Sequence, residues 1–212
     1  MDKKYAIFDM DGTLTDSMGY WRGLGVEFLR SRGVDPIPYD VLTRLRHMTM
    51  VESGAILLEC CHLEGTPQSV ADELNNMMKQ HYSTDVELKP GVLDYLKKLR
   101  DQGVQMYVAS ATINSLVELC LTRLGVRDFF QGTISCESVG VGKHAPDVYH
   151  AAARAMCAAP EECAVYEDSF QAGETAKKAG YYLVGIYDEV GKEEWPRMME
   201  LADELIPDWT KA

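Results

Sequence analysis

The sequence predicts an α/β fold: a parallel sheet with helices on both faces, interrupted near its start by an all-helical insertion. Three observations carry this. From Gly91 onward, short apolar runs alternate with stretches of helical periodicity, the pattern of parallel strands joined by crossover helices. Between about Tyr20 and Tyr82 helical segments follow one another with no strand pattern among them. One strand precedes that insertion and the others follow it, so the sheet draws on both sides.

The first strand is Tyr5 to Phe8, running into Asp9 and then Asp11, Gly12 and Thr13. The insertion reads as four helices: GYWRGLGVEFLRSRG, then DVLTRLRHM, then VESGAILLECCHLEG, then Pro67 to Tyr82. Gly33 stops the first, Pro36 and Pro38 make a rigid corner, and Thr66-Pro67 starts the last. Ser83 to Pro90 leads back to the sheet. A helix from Val92 to Gln102 stops at Gly103, followed by the strand VQMYVAS and a helix from Asn114 to Leu124. The short strand GTISC, the loop VGVGKHAPD and a helix from about Asp147 to Ala158 come next. The strand CAVYED, a helix ending AKKAG, the strand YYLVGIYD, a final helix and an edge strand near Leu205 complete the order. An insertion that leaves and rejoins the sheet at one end is expected to act as a lid there, on hinges near Thr15 to Gly19 and Ser83 to Pro90.

Composition narrows the function classes. The 212 residues are 46% hydrophobic and 25% charged, the make-up of a globular chain able to bury a core. A net charge of -12 disfavours nucleic acid and anionic membrane as partners, so an anionic substrate must be met by local cations or a metal. No apolar run reaches the length of a membrane span, and MDKKYAIFDM reads as a charged lead into a strand rather than a signal or transit peptide. The six cysteines include no Cys-x-x-Cys pair and are read as reduced, mostly buried thiols of a cytoplasmic protein. Cys60, Cys61 and His62 are adjacent, but neighbours on a helix diverge, so packing is expected there rather than a metal.

Four strand ends carry polar groups: Asp9 with Asp11, Ser110, the loop bearing Lys143, and Glu167 with Asp168. Each has a structural reading, as a turn, a helix cap, a solvated charge and a second cap. In a parallel sheet all carboxyl ends point one way, so the four together point to a site. Alternation along an extended chain puts Asp9 and Asp11 on one face, where paired carboxylates call for a divalent cation, a shared proton or both. Their chemistry fits phosphoryl transfer: a carboxylate nucleophile, Mg2+ to let two anions approach, a lysine and a hydroxyl on the phosphate oxygens, and a second carboxylate to move protons.

The sequence resembles the haloacid dehalogenase superfamily on its phosphatase side. The resemblance rests on DMDGTLTDS at residues 9 to 17, VASAT with Ser110, GKHAPD with Lys143 and YEDS with Glu167 and Asp168. It implies a Rossmann-like α/β core over residues 1–16 and 87–212 and an inserted helical cap over 17–86. It implies Asp9 as nucleophile and Asp11 as general acid/base. Mg2+ would be held by the Asp9 carboxylate, the Asp11 carbonyl and Asp168, with Glu167 in or beside that shell. Ser110 and Lys143 would hold phosphate with the amides of Met10, Asp11 and Ala111, Lys143 also restraining Asp9. Two positions depart from the family pattern: His144 stands where the third motif commonly has its first proline, and Ala172 where a glycine is usual, with Gly173 one later.

The implied function is hydrolysis of a small phosphorylated metabolite by a monomer or homodimer. Asp11 supports it, because dehalogenases and phosphonate-cleaving members lack the second aspartate. The alternative is a mutase similar to β-phosphoglucomutase. Against it, Trp21 occupies the place of that group's first-helix histidine, and its cap arginine falls near Met50. A non-catalytic binding protein on the same fold would be expected to have lost one of these groups. Substrate choice is expected in the cap, from among Trp21, Arg44, Arg46, His47, Met48 and Met50, with Asn114 a further candidate near the substrate.

Overall fold

Strand β1 (Tyr5–Phe8) is buried along Ala6, Ile7 and Phe8, as a strand covered on both faces must be. In the computed structural model, which describes residues 3–37, 41, 45 and 50–212, it lies inside a parallel sheet of order β3-β2-β1-β4-β5-β6. The other strands are β2 (Gln105–Ser110), β3 (Gly132–Ser135), β4 (Cys163–Glu167), β5 (Tyr182–Ile186) and β6 (Glu204–Ile206). Tyr5 pairs with Gln105 on one side and with Cys163 on the other, and Phe8 with Val108 and Tyr166. The chain thus moves outward from β1 through β2 to β3, then returns to the opposite side of β1 for β4. This reversal is a topological switch point, where an open α/β sheet leaves a crevice beyond its carboxyl ends. The edge strand expected near Leu205 is β6.

The chain divides into two compact units, Met1–Met18 with Val86–Ala212, and Gly19–Asp85. In the first unit the sheet is covered by amphipathic helices. One cluster gathers Val148, Tyr149, Ala152, Ala153 and Met156 against Ile7, Ala109 and Val165 of the strands. The expected strand GTISC ends one residue sooner than read, because the Ser135 side chain accepts from Ser138 N and starts a short helix at Cys136. Near the departure to the second unit and the return from it, Asp16 N donates to Glu87 O at 2.9 Å and Lys89 N to Leu14 O at 2.9 Å.

The second unit contains α1 (Met18–Ser31), which begins in the first unit, α2 (Met50–Cys61) and α3 (Pro67–Thr84). Helix α3 starts at a capping box: Ser69 N donates to Thr66 Oγ1 at 3.1 Å and Thr66 N to Ser69 Oγ at 2.9 Å. Its inner face is Val70, Ala71, Leu74, Met78 and Tyr82, at helical spacing. Cys60 and Cys61 lie half-buried in the last turn of α2. The expected helix DVLTRLRHM falls, apart from Val41 and Leu45, outside the described residues. No helix among the described residues is long and apolar enough to cross a membrane.

Candidate active site

β1 hands on directly to Asp9, whose amide still donates to Tyr166 O at 3.0 Å while its side chain is 7% exposed. The chain then coils tightly. Leu14 N at 2.9 Å, Thr15 N at 3.0 Å and Thr15 Oγ1 at 3.0 Å all donate to Met10 O. Gly12 has φ +82, and a Cβ there would stand 2.4 Å from Asp168 Oδ2, so only glycine lets the loop pass this close to that carboxylate. Because strand geometry ends at Phe8, alternation no longer governs Asp11. Its carboxylate takes different partners, Ser17 Oγ donating to Oδ1 at 2.6 Å and Thr112 Oγ1 to Oδ2 at 2.7 Å.

β2 ends at Ser110, 1% exposed, whose hydroxyl oxygen accepts from Thr112 N at 3.0 Å; Ala111 is exposed. Ser110 therefore caps the turn that brings Thr112 to Asp11. Beyond β3, Ala145 N donates to Gly142 O at 3.1 Å, closing a turn around Lys143 and His144. The turn is thus closed by a backbone bond with histidine, not proline, at position 144. Lys143, only 11% exposed, donates from its ammonium to Asp9 Oδ1 and, at 2.5 Å, to Glu167 Oε1. Tyr149, one turn into the helix after this loop (Asp147–Ala155), donates to the same Glu167 oxygen at 2.7 Å. Asp168 follows β4 and accepts from Thr13 Oγ1 at 3.2 Å. The next helix starts at Phe170, its first turn capped by Ser169, so Ala172 in place of glycine leaves the path regular.

Asp9, Glu167 and Asp168 each offer a carboxylate oxygen, all within 4.8 Å of one another. Burial raises the pKa of Asp9 well above the usual carboxylate range, with Lys143 opposing and Glu167, Asp168 and Asp11 adding to the rise. Burial pushes Asp168 up to about 7, reinforced by the charges of Glu167 and Asp188 and opposed by Lys89 and Lys143. Burial pulls Lys143 down, but Asp9 and Glu167 outweigh it and hold its ammonium charged. One lysine faces two buried carboxylates and a third that is partly buried, and hard oxygen donors this close fit a small divalent cation, which would favour their charged forms.

The structure thus brings together Asp9, Lys143, Glu167 and Asp168, and links Asp11 to the turn at Ser110. Asn114 Oδ1 lies 2.8 Å from Thr133 Oγ1 on β3, a hydroxyl that also reaches Glu118 Oε1 at 2.5 Å. Trp21, in the second unit, donates from its indole nitrogen to Tyr82 Oη at 3.1 Å. Arg44, Arg46, His47 and Met48 lie outside the described residues. Reading from sequence passed over Thr13, Ser17, Thr112 and Tyr149, although all lie in or beside the motifs. It also passed over Lys89, which returns the chain to the sheet and pairs with Asp188 at 2.8 Å. A basic residue just before Pro90 and an acid just after β5 were the available signal.

The family model described as haloacid dehalogenase-like hydrolase matches residues 3–180. The phosphoglycolate phosphatase of Rhodobacter capsulatus is 30% identical over 190 residues, 86% of this chain and 83% of that protein. The β-phosphoglucomutase of Bacillus subtilis (strain 168) is 27% identical over 195 residues, again 86% of this chain and 83% of that protein. The crystal structure of CbbY from Rhodobacter sphaeroides in complex with phosphate matches with a TM-score of 0.80 at 23% identity, covering 99% of this chain and 96% of that one. That likeness is one of fold.

Proposed function

The chain belongs to the haloacid dehalogenase-like hydrolases, and on that premise we propose that it is a magnesium-dependent phosphatase of a small phosphorylated metabolite, working through an aspartyl phosphate on Asp9. The observation that carries this reading is Lys143 bonded to both Asp9 and Glu167 at the β1/β4 switch point, with Asp168 beside them.

Each residue then has a task. An Asp9 carboxylate oxygen attacks phosphorus in line with the ester oxygen, and the P–O bond to the alcohol breaks as the Asp9–phosphorus bond forms. Lys143 keeps Asp9 oriented and meets charge on the transferring phosphoryl oxygens. The Ser110 hydroxyl and the amides of Met10, Asp11 and Ala111 take the remaining oxygens. Asp11 gives a proton to the departing alcohol, then accepts one from the water that opens the aspartyl phosphate. Ser17 and Thr112 hold its carboxylate from either side. Asp9, Asp168, the Asp11 carbonyl and Glu167 would hold Mg2+, which offsets the charge that would otherwise keep carboxylate and phosphate apart.

A second reading, transfer of phosphate between positions of a sugar phosphate, is favoured by the likeness to β-phosphoglucomutase. Trp21 supports the hydrolase instead: it stands where that group has a histidine, and its N–H is directed to Tyr82. The helical segment 17–86 is read as the cap that selects the substrate. The cysteines, none of them in a disulfide among the described residues, support a cytoplasmic enzyme, read as a monomer or homodimer. The test is phosphate release, with and without Mg2+, across sugar phosphates, phosphoglycolate, nucleotides and an aryl phosphate, with Asp9→Asn as control. Release needing both Mg2+ and Asp9 supports the hydrolase; positional exchange in a hexose phosphate without release makes it a mutase.

A further inference from the structure

The end of the chain reaches the candidate site from a direction that the motifs do not announce. Asp208 caps a short turn at Trp209–Lys211, its carboxylate accepting from Thr210 N at 3.0 Å and Thr210 Oγ1 at 2.7 Å. The turn lies directly on Gly91, where φ is +94 and a Cβ would stand 2.6 Å from both Thr210 N and Trp209 C. Trp209 is 5% exposed. Its ring stands edge-on to Tyr95 at 4.9 Å and stacks with Tyr166 at 6.0 Å, and those two tyrosine hydroxyls bond each other at 3.0 Å. Held this way, the indole N–H donates to Thr13 O at 3.1 Å, a buried bond.

Thr13 is the residue whose hydroxyl donates to Asp168 Oδ1, and Gly12 before it is the residue pressed against Asp168 Oδ2. The bonds to Met10 O close this loop on itself, and Lys89 ties it at Leu14. The indole ties it at Thr13.

We propose that Trp209 is a positioning residue for the metal site: it fixes the height of the Gly12–Thr13 loop, and the loop in turn orients Asp168. The proposal rests on the reading of Asp168 as a metal ligand. Residues that orient a metal-bound carboxylate act on affinity, whereas an aromatic that only fills a core acts on stability. Trp209 lies beyond the stretch that the family match spans.

The test is calorimetric titration of the full chain with Mg2+ alone, well below the melting temperature. The proteins are wild type, Asp168→Asn, Trp209→Phe, Thr13→Val, Thr13→Ser and the Trp209→Phe/Thr13→Val double variant. We expect Trp209→Phe and Thr13→Val each to weaken Mg2+ binding about tenfold. Thr13→Ser should bind as wild type does, and the double variant no more weakly than Thr13→Val, because both act along one line. Should Trp209→Phe fail to fold, the benzothiophene analogue of tryptophan at position 209 keeps the shape and removes only the N–H. Wild-type affinity in a folded Trp209 variant that has merely lost melting temperature overturns the proposal, as does full additivity in the double variant. If wild type binds no Mg2+ that Asp168→Asn abolishes, the site reading itself fails and takes the proposal with it.

Discussion

Lys143 and Glu167 share a 2.5 Å hydrogen bond, and the same ammonium also donates to Asp9, so one cation from the loop after β3 joins acids at the ends of β1 and β4. Breaking a buried pair strands charge at a cost of about 3 kcal/mol or more. Lys143→Met is expected to lose that much stability in urea unfolding with chelator present at pH 8, and to regain part of it in Mg2+. Phosphate release should fall by about a thousandfold.

Tyr149 holds the other approach to Glu167, from a fully buried position in the core. Tyr149→Phe keeps the ring and leaves one acceptor bond of a 1%-exposed carboxylate unmade. The expected loss is about 1 to 2 kcal/mol by denaturant unfolding. A neutral result would mean that the hydroxyl contributes nothing to holding Glu167.

Gly12→Ala tests how closely the first loop approaches Asp168. The added Cβ meets Asp168 Oδ2 at 2.4 Å in a backbone with φ +82. Mg2+ affinity should drop by about tenfold or more, with about 1 to 2 kcal/mol of stability lost to the left-handed backbone. Unchanged Mg2+ binding by calorimetry would show that Asp168 has room the structure does not give it.

His81 makes stability within the helical unit depend on pH. Partial burial lowers its pKa, but hydrogen bonds and charge from Glu27 and Asp85, each at 2.8 Å, prevail and raise it; Tyr20 packs against the ring at 4.7 Å. A raised folded value means that the folded state binds the extra proton. The contribution is therefore complete below the unfolded value of about 6.5 and is lost as pH climbs through the folded one. With both carboxylates about half exposed, screening limits it to about 0.5 to 1 kcal/mol. His81→Gln should lower the thermal midpoint more at pH 5.5 than at pH 8.5; an equal drop at both would exclude the ion pairs.

The sheet and the acids at its strand ends were legible because both are local signals. An apolar run such as YAIF or CAVYE names a buried strand, and an acid just past it sits at a carboxyl end. The boundary of β3 was not legible, since it turns on Ser135 capping a short helix rather than on hydrophobicity. Nor was the parting of the Asp9 and Asp11 carboxylates to different partners. That depends on where strand geometry stops and on Thr112, which is 101 residues from Asp11. The contact from Trp209 to Thr13 spans 196 residues and follows no period or motif. The packing of Tyr95 and Tyr166 around that ring and the seat of its turn on Gly91 place it.

Asp9 is expected to become phosphorylated during turnover. Enzyme mixed with the best substrate of the panel and Mg2+, acid-quenched within a turnover and reduced with borohydride, converts an aspartyl phosphate to homoserine at the modified position. Peptide mass spectrometry should find homoserine at residue 9, only when substrate is present and not in Asp9→Asn. Homoserine at another acid, or steady phosphate release by Asp9→Asn, would rule out Asp9 as the nucleophile.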